Sequence, residues 1–525
     1  MLKLPIGIQS FESLRTEGYA YADKTKLVYG LSQNGRYVFL SRPRRFGKSL
    51  LLSTLKAYFQ GKKELFEGLA IAGLEQSWET YPVLYIDLNV GLYTSTEGLG
   101  EALNSNLSIL EKTYGVAKET NDNAQRFRDL IWYLATKTGK KVVILVDEYD
   151  KPLLQAIDNE PLQQEYRNIL KAFYSNLKTC DEYIRFAMLT GVSKFSKISL
   201  FSDLNNLTDI SLDERYADIC GLTAEEIERT FDDYLEIFAQ REGTDKATVM
   251  EEMRKMYDGY HFSKSASKDM YNPFSVLNAL DKCDFDNYWF STGTPTFLIK
   301  LLQSGDYDLR DFSEGKLWAS DLAAKESLKQ EPIAMFYQTG YLTIKGYDKE
   351  LGMFHLGFPN REVEQSFLKF LLPRFTGNND NHSSVFIGRF VLDLRNGDIE
   401  SFLTRMKSFF ANTPYELIRD LENHYQNVMF TICRLLGYYT QAEYHTSSGR
   451  IDMVVKAQQY TYVFEFKFNK TAKEALEQIN KKDYPLPFSA DGQKLIKIGL
   501  NFSKETNNID DFVWETENEE KPNDL

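Results

Sequence analysis

Cysteine is scarce in this chain of 525 residues: Cys180, Cys220, Cys283 and Cys433 are scattered, with no CxxC pair and no Cys/His spacing. That pattern argues against a zinc site and a disulfide framework and fits buried thiols in a reducing compartment. Long apolar runs are also missing. The start, Met1-Leu2-Lys3-Leu4-Pro5, has no apolar stretch of the signal-peptide kind, and no run of membrane-spanning length follows. A cytoplasmic protein without a membrane partner is expected, and a bacterial origin fits. Basic charge is short as well: 62 Lys and Arg against 75 Asp and Glu leave a formal net charge of -13. A nucleic-acid partner would have to be met by a local basic groove on a repelling body. What is plentiful is apolar and aromatic residues, 43% and 14% of the chain. At this length they provide cores for about two to four domains.

The chain is organised around Tyr37-Val38-Phe39-Leu40-Ser41-Arg42-Pro43-Arg44-Arg45-Phe46-Gly47-Lys48-Ser49. An apolar run stops at a loop, and a helical pattern with Leu51, Leu55 and Tyr58 on one side starts at once. Gly47-Lys48-Ser49 therefore falls at a strand-to-helix turn, where backbone N–H groups and the helix dipole can hold phosphate. Lys48 can reach the β- and γ-phosphates, and Ser49 can ligate Mg²⁺. The first glycine of the general pattern would fall at Arg42, so Pro43 and Arg42 are expected to make the turn. Upstream, Tyr21-Ala22-Asp23-Lys24-Thr25 reads as a capped helix start with Asp23 as the cap; the segment could also touch the nucleotide base.

Tyr81 to Leu88 reads as a buried parallel strand, followed by helices around Leu99 to Leu110 and Phe127 to Thr136. Lys141-Val142-Val143-Ile144-Leu145-Val146-Asp147-Glu148 then ends an apolar strand in two carboxylates, a Walker B pattern. Asp147 can hold Mg²⁺ through water, and Glu148 can polarise the attacking water. One more strand lies between the loop strand and this one. Tyr183 to Gly191 is the next strand, at whose end Thr190 can sense the γ-phosphate and Lys194 can add positive charge; a strand-end cap and a solvated lysine are equal alternatives. The alternation over residues 36 to about 215 makes an α/β, doubly wound parallel sheet.

Thr223 with Glu226 forms a capping box that opens a helical lid over 221–310. His261 reads as a hydrogen-bonded packing residue. Thr339 to Lys345 and Met353 to Phe358, joined by the Gly346 to Gly352 turn region, read as a hairpin of a winged-helix-like module over 311–375. Asn378 to Ser384 is a surface-loop break within a helical connector, 376–416.

The second constellation occupies 417–510. Leu417 to Leu436 has a helical stripe of Leu421, Tyr425, Val428, Ile432 and Leu435, with Glu422 beside it. Gly449-Arg450-Ile451-Asp452 enters a strand, and Tyr462-Val463-Phe464-Glu465-Phe466-Lys467-Phe468 forms the next. Its period of two puts Glu465 and Lys467 on one face and Phe464 and Phe466 on the other. Asp452 and Glu465 can hold Mg²⁺ against a scissile phosphate while Lys467 orients or activates water. Glu422, with Glu443 as its rival, completes the set; Gln478 and Tyr484, on and after a helix over Ala472 to Asn480, can contact substrate backbone. A salt-bridged hairpin with a wet face is the plainer alternative. Residues 511–525 read as an acidic tail.

Taken together, the chain resembles two-domain proteins of anaerobic bacteria that pair an AAA-ATPase-like domain with a C-terminal PD-(D/E)XK nuclease-superfamily domain. The carriers are Tyr21 to Thr25, Arg42 to Ser49, Val146-Asp147-Glu148-Tyr149-Asp150, Tyr257-Asp258-Gly259-Tyr260, Tyr271-Asn272-Pro273, Gly449 to Asp452 and Glu465-Phe466-Lys467. The resemblance implies a P-loop NTPase core over 1–220 and a restriction-endonuclease-like α/β domain at the far end. It implies ATP and Mg²⁺ as cofactors, with Arg44, Arg45, Phe46, Gly47, Lys48, Ser49, Leu50, Asp147 and Thr190 as the nucleotide set. It also implies ATP hydrolysis and a nuclease. Apart from the resemblance, the expected partner is nucleic acid, DNA ahead of RNA, and a nucleotide-dependent homo-oligomer is a further expectation. The alternative is a nucleotide-dependent switch or assembly protein whose nuclease-like domain binds without cutting.

Overall fold

The computed structural model describes residues 1–194, 207–291, 316–319, 322, 332–376, 389–390, 392–411, 421–435, 439–446, 449–457 and 459–516. The chain divides into two compact units, the first holding the described residues up to Val363 and the second those from Glu364 onward. The helical segment and the hairpin, expected as modules of their own from 221 and 311, thus share one unit with the P-loop core.

In the first unit, β1 (Tyr37–Ser41), β2 (Val83–Asp87), β3 (Val142–Asp147), β4 (Ile184–Gly191) and β5 (Thr208–Asp209) form a sheet of order β2-β3-β4-β1-β5. Every pairing is parallel. β1 and β3 are buried at every residue, as unbroken apolar strands covered on both faces must be. Helices α1 (Phe11–Thr16), α2 (Thr25–Asn34) and α3 (Lys48–Phe59) are followed by α4 (Thr96–Tyr114), α5 (Asn123–Thr138), α6 (Lys151–Gln155) and α7 (Glu160–Tyr174). Leu103 and Leu107 of α4, Phe127 and Ile131 of α5, and Tyr166 and Leu170 of α7 pack with Ile144 and Val146 in one core. α3 lies against β2, β3 and β4. The strand that separates β1 from β3 in the sheet is β4, while β2 takes the edge. The carboxyl ends of β1, β4 and β3 therefore stand side by side, which brings the loop after Ser41, Thr190 and Asp147 to one edge of the sheet.

The capping box of Thr223 and Glu226 opens α8 (Ala224–Thr230). It is followed by α9 (Asp232–Glu242), α10 (Lys246–Tyr257), α11 (Pro273–Lys282) and α12 (Tyr288–Ser291). Their core of Ile227, Leu235, Phe238, Met253, Val276 and Leu280 also buries Ala20 from the start of the chain. β6 (Lys316–Trp318), β7 (Thr343–Asp348) and β8 (Met353–Gly357) make an antiparallel sheet of order β6-β8-β7. β7 starts at Thr343 and runs through Gly346, later than expected, because Thr339 still ends a helix, α13 (Pro332–Thr339). Gly340 makes the turn at φ 91, and a side-chain Cβ there would come within 2.6 Å of Pro43. Only glycine lets the chain turn so close to the P-loop segment. α14 (Arg361–Thr376) follows.

The second unit holds α15 (Ile399–Ala411), α16 (Leu421–Leu435), β9 (Tyr439–Thr446), β10 (Gly449–Ala457), β11 (Tyr460–Phe468), α17 (Ala472–Lys482), β12 (Lys494–Ser503) and β13 (Asn508–Thr516). Sheet order is β13-β12-β11-β10-β9. β11 and β12 are parallel, joined through α17, and the other pairings are antiparallel. Two expectations change here. α15 is no connector: its Phe402, Met406 and Phe410 share a core with Tyr425, Ile432, Phe464, Phe466 and Phe502. The stretch from 511 to Thr516 is not tail but strand, paired with β12. Asn378 to Ser384, Leu417 and the acidic end from 517 lie outside the described residues.

Candidate nucleotide and nuclease-like sites

The P-loop turns through two left-handed residues, Arg45 at φ 67 and Gly47 at φ 91. The turn is therefore not made at Arg42 and Pro43. Arg42 is turned inward and is 1% exposed. Its guanidinium donates to the carbonyls of Ser41 (2.9 Å), Ser211 (2.9 Å) and Tyr216 (3.1 Å) and lies 4.1 Å from the Phe262 ring centre. Burial pulls its pKa below the ordinary arginine value. Where the general pattern has a small residue, this chain thus has an internal strut. Phe46 is also buried, edge-on to Tyr260 and Phe262, so only its backbone can face a ligand. The Trp289 indole donates to the Arg44 carbonyl at 3.0 Å.

Lys48 Nζ donates to the carbonyls of Arg42 and Pro43 and stands 3.9 Å from Glu148 Oε1. Asp147 Oδ1 accepts from the Thr190 hydroxyl at 2.8 Å and from the Glu148 N–H at 3.1 Å, and Oδ2 from the Tyr85 hydroxyl at 3.3 Å. Glu148 itself is left-handed, at φ 54, which turns its carboxylate toward Lys48. Thr190 is fully buried behind Asp147, so it orients that carboxylate. Lys194 is committed elsewhere: its ammonium pairs with Asp209 at 3.1 Å and its N–H donates to Gln338. Asp150 accepts from the N–H groups of Val192 and Ser193 and from the Ser193 hydroxyl, tying the end of β4 to the acidic turn. Burial, and then the nearby Glu148, push it up to about 6.

A cavity of about 510 Å³ is lined by Arg44 to Leu50, Glu148 and Lys151, and also by Tyr21, Ala22, Phe231 and Leu277. This second group was only half legible. Asp23 is not the cap of α2: Lys24 holds that position without a capping bond, and Asp23, one residue earlier, accepts from the Thr25 N–H at 2.8 Å and from the Ala70 N–H. Its neighbours Tyr21, Ala22 and Lys24 line the cavity. Lys24 reaches Glu226 at 2.6 Å, which ties this segment to α8. Phe231 and Leu277 gave no sign in the sequence, since a helical apolar stripe looks the same whether it meets a core or a ligand. Lys151 and Asn89, which also line the cavity, were missed as well. His261 bonds Asp269 and the Ile344 carbonyl, a packing arrangement.

In the second unit the β10–β11 register pairs Met453 with Phe464, and its continuation sets Asp452 opposite Glu465. Asp452 Oδ2 accepts from the Phe466 N–H at 2.7 Å. Lys467 Nζ lies 2.8 Å from both Glu465 Oε1 and Gln478 Oε1, and the Gln478 amide donates back to Glu465 Oε1. Tyr484 Oη is 3.4 Å from the Gln478 amide. A Cβ at Gly449, where φ is 152, would sit 3.1 Å from that oxygen, which accounts for glycine at the entry to β10. α17 covers this face, so Glu465 is only 2% exposed and the wet-hairpin alternative falls. Burial first, then Asp452, push Glu465 up to about 7. Glu422 stands in the first turn of α16 and Glu443 in β9; their side chains lie outside the described residues.

The residues fit divalent cations unevenly. Glu465 Oε2 is buried without a hydrogen-bond partner, beside Asp452, so a hard cation bound by the two carboxylates would satisfy it. On the nucleotide side Ser49 lines the cavity, and Asp147, already carrying three donors, suits contact through water.

Comparison with known proteins agrees with both halves. Residues 5–201 match the model of a predicted AAA-ATPase family, and residues 420–512 that of the PD-(D/E)XK nuclease superfamily. An "uncharacterized protein in vnfD 5'region" of Azotobacter chroococcum mcd 1 is 38% identical, over 98% of this chain and 99% of its own. No helix among the described residues is long and apolar enough to cross a membrane. With nearly all of that relative matched, the chain belongs to the family that joins a predicted AAA-ATPase domain to a domain of the PD-(D/E)XK nuclease superfamily.

Proposed function

We propose that this protein binds and hydrolyses ATP and cuts phosphodiester bonds of nucleic acid, DNA ahead of RNA, with nucleotide turnover governing the cleavage. The observation that carries the reading is that acids and a lysine meet in each unit: Lys48 with Glu148, which lie far apart in sequence, in the first, and Glu465 with Lys467 and Gln478, from a strand and the helix after it, in the second.

In the first site the P-loop N–H groups and Lys48 hold the phosphates, and the base lies toward Tyr21, Ala22, Phe231 and Leu277. Glu148 takes a proton from water as its oxygen attacks the γ-phosphorus, and the bond to the ADP oxygen breaks. In the second site Asp452 and Glu465 would hold Mg²⁺, which would supply polarisation of the scissile phosphate. Lys467 orients the attacking water and offsets charge on the phosphate, while Gln478 fixes both Glu465 and Lys467.

Exchange of Asp452 for Asn is expected to abolish divalent-dependent cleavage of DNA by the pure protein, with folding intact. Cleavage that survives would overturn the nuclease assignment. An ATP-dependent oligomer that cuts neither DNA nor RNA with any divalent metal would favour the switch or assembly protein instead.

A further inference from the structure

Lys151 opens α6, just after the acidic turn, and lines the cavity with Lys48, Arg44 and Glu148. Its ammonium donates to the Asn89 carbonyl oxygen at 2.6 Å and to the Asn89 side-chain oxygen. Two of its three N–H donors are used there, so Asn89 fixes where the ammonium stands. Asn89 also lines the cavity, and its own N–H donates to Asp87 Oδ1 at the end of β2. The chain beyond Asn89 is a short loop pinned at both feet. Leu88 and Tyr93 are buried, and the Tyr93 hydroxyl donates to the Leu88 carbonyl at 2.7 Å. Between those feet Val90 is 69% and Leu92 is 82% exposed. One ammonium thus joins the lining of the cavity to the root of an exposed apolar loop.

We propose that Lys151 reads the terminal phosphate of the nucleotide from within the same chain, and that the phosphate competes with Asn89 for its ammonium. The proposal rests on the ATP reading above. An anionic oxygen is a stronger acceptor than an amide oxygen, so a nucleoside triphosphate draws Lys151 off Asn89 and a diphosphate leaves it in place. The Leu88-to-Tyr93 loop then differs between the two nucleotide states, and its tip carries that difference to the protein surface.

The test uses the full chain with Mg²⁺, measuring ATP and ADP affinity by calorimetry and hydrogen exchange over residues 88–95. Wild type is expected to prefer ATP and to exchange faster in this loop with ATP than with ADP. Lys151→Met is expected to lose roughly tenfold in ATP affinity, with ADP affinity kept, and to lose the exchange difference. Lys151→Arg should restore part of both, which separates a charge effect from a folding defect. Asn89→Ala should raise loop exchange with either nucleotide. If Lys48→Ala abolishes ATP binding while Lys151→Met leaves the ATP-to-ADP ratio and the exchange pattern untouched, the proposal fails and the ATP site stands. If wild type binds neither nucleotide, both fall.

Discussion

Lys48 and Glu148 face each other across 3.9 Å, although one opens the helix after β1 and the other follows β3. The intervening β4 explains how. It spaces the two strands so that a long lysine from one edge position meets a left-handed acid from another. Lys48→Ala is therefore expected to weaken ATP binding at least tenfold, and Glu148→Gln to keep binding while lowering phosphate release by roughly a hundredfold or more. Equal release rates in wild type and both variants would discard these roles.

Arg42→Gly would restore the small residue of the general P-loop, yet the structure predicts harm. Three carbonyls would lose their donor and the Phe262 ring its cation, at a cost of about 2 to 4 kcal/mol. Urea unfolding measures this, and an unchanged midpoint would show that the guanidinium anchors nothing.

Glu465 gives a pH signature. Its folded pKa of about 7 stands above the ordinary 4.5, so the folded chain holds a proton that the unfolded chain has released. Without divalent cations, this group's contribution to stability is full below about 4.5 and declines as pH rises through about 7. Mg²⁺ needs the ionised carboxylate, so its affinity should climb across the same window. Thermal melts with and without Mg²⁺ would show both trends, and Glu465→Gln should remove them.

Gln478 holds Glu465 and Lys467 without being expected to touch the reacting phosphate itself. Gln478→Ala should lower cleavage roughly ten- to a hundredfold and shift the pH profile, with substrate affinity little changed. A drop in substrate affinity with an unmoved pH profile would make Gln478 a substrate contact instead.

Much of this was legible because it is local. A strand and loop that lead to a glycine before a helix, an apolar run ending in Asp147-Glu148, and an alternating strand with Glu465 and Lys467 on one face are all patterns within about ten residues of chain. Lys194 shows where such reading fails. From the sequence it was a free cation near the phosphate, but Asp209, brought alongside by β5, already holds it. Thr190 reached the expected edge and turned to Asp147 rather than toward the cavity.

The sequence alone determined which segments form the strands and turns proposed for phosphate and metal chemistry, because backbone periodicity and residue type act over neighbouring positions. Only the tertiary structure decided what each side chain meets. It set β4 between β1 and β3, turned Arg42 inward as a strut, drew the N-terminal segment, Phe231 and α11 around one cavity, and covered Glu465 with α17. Those outcomes depend on burial and on partners far along the chain, and neither is written in local pattern.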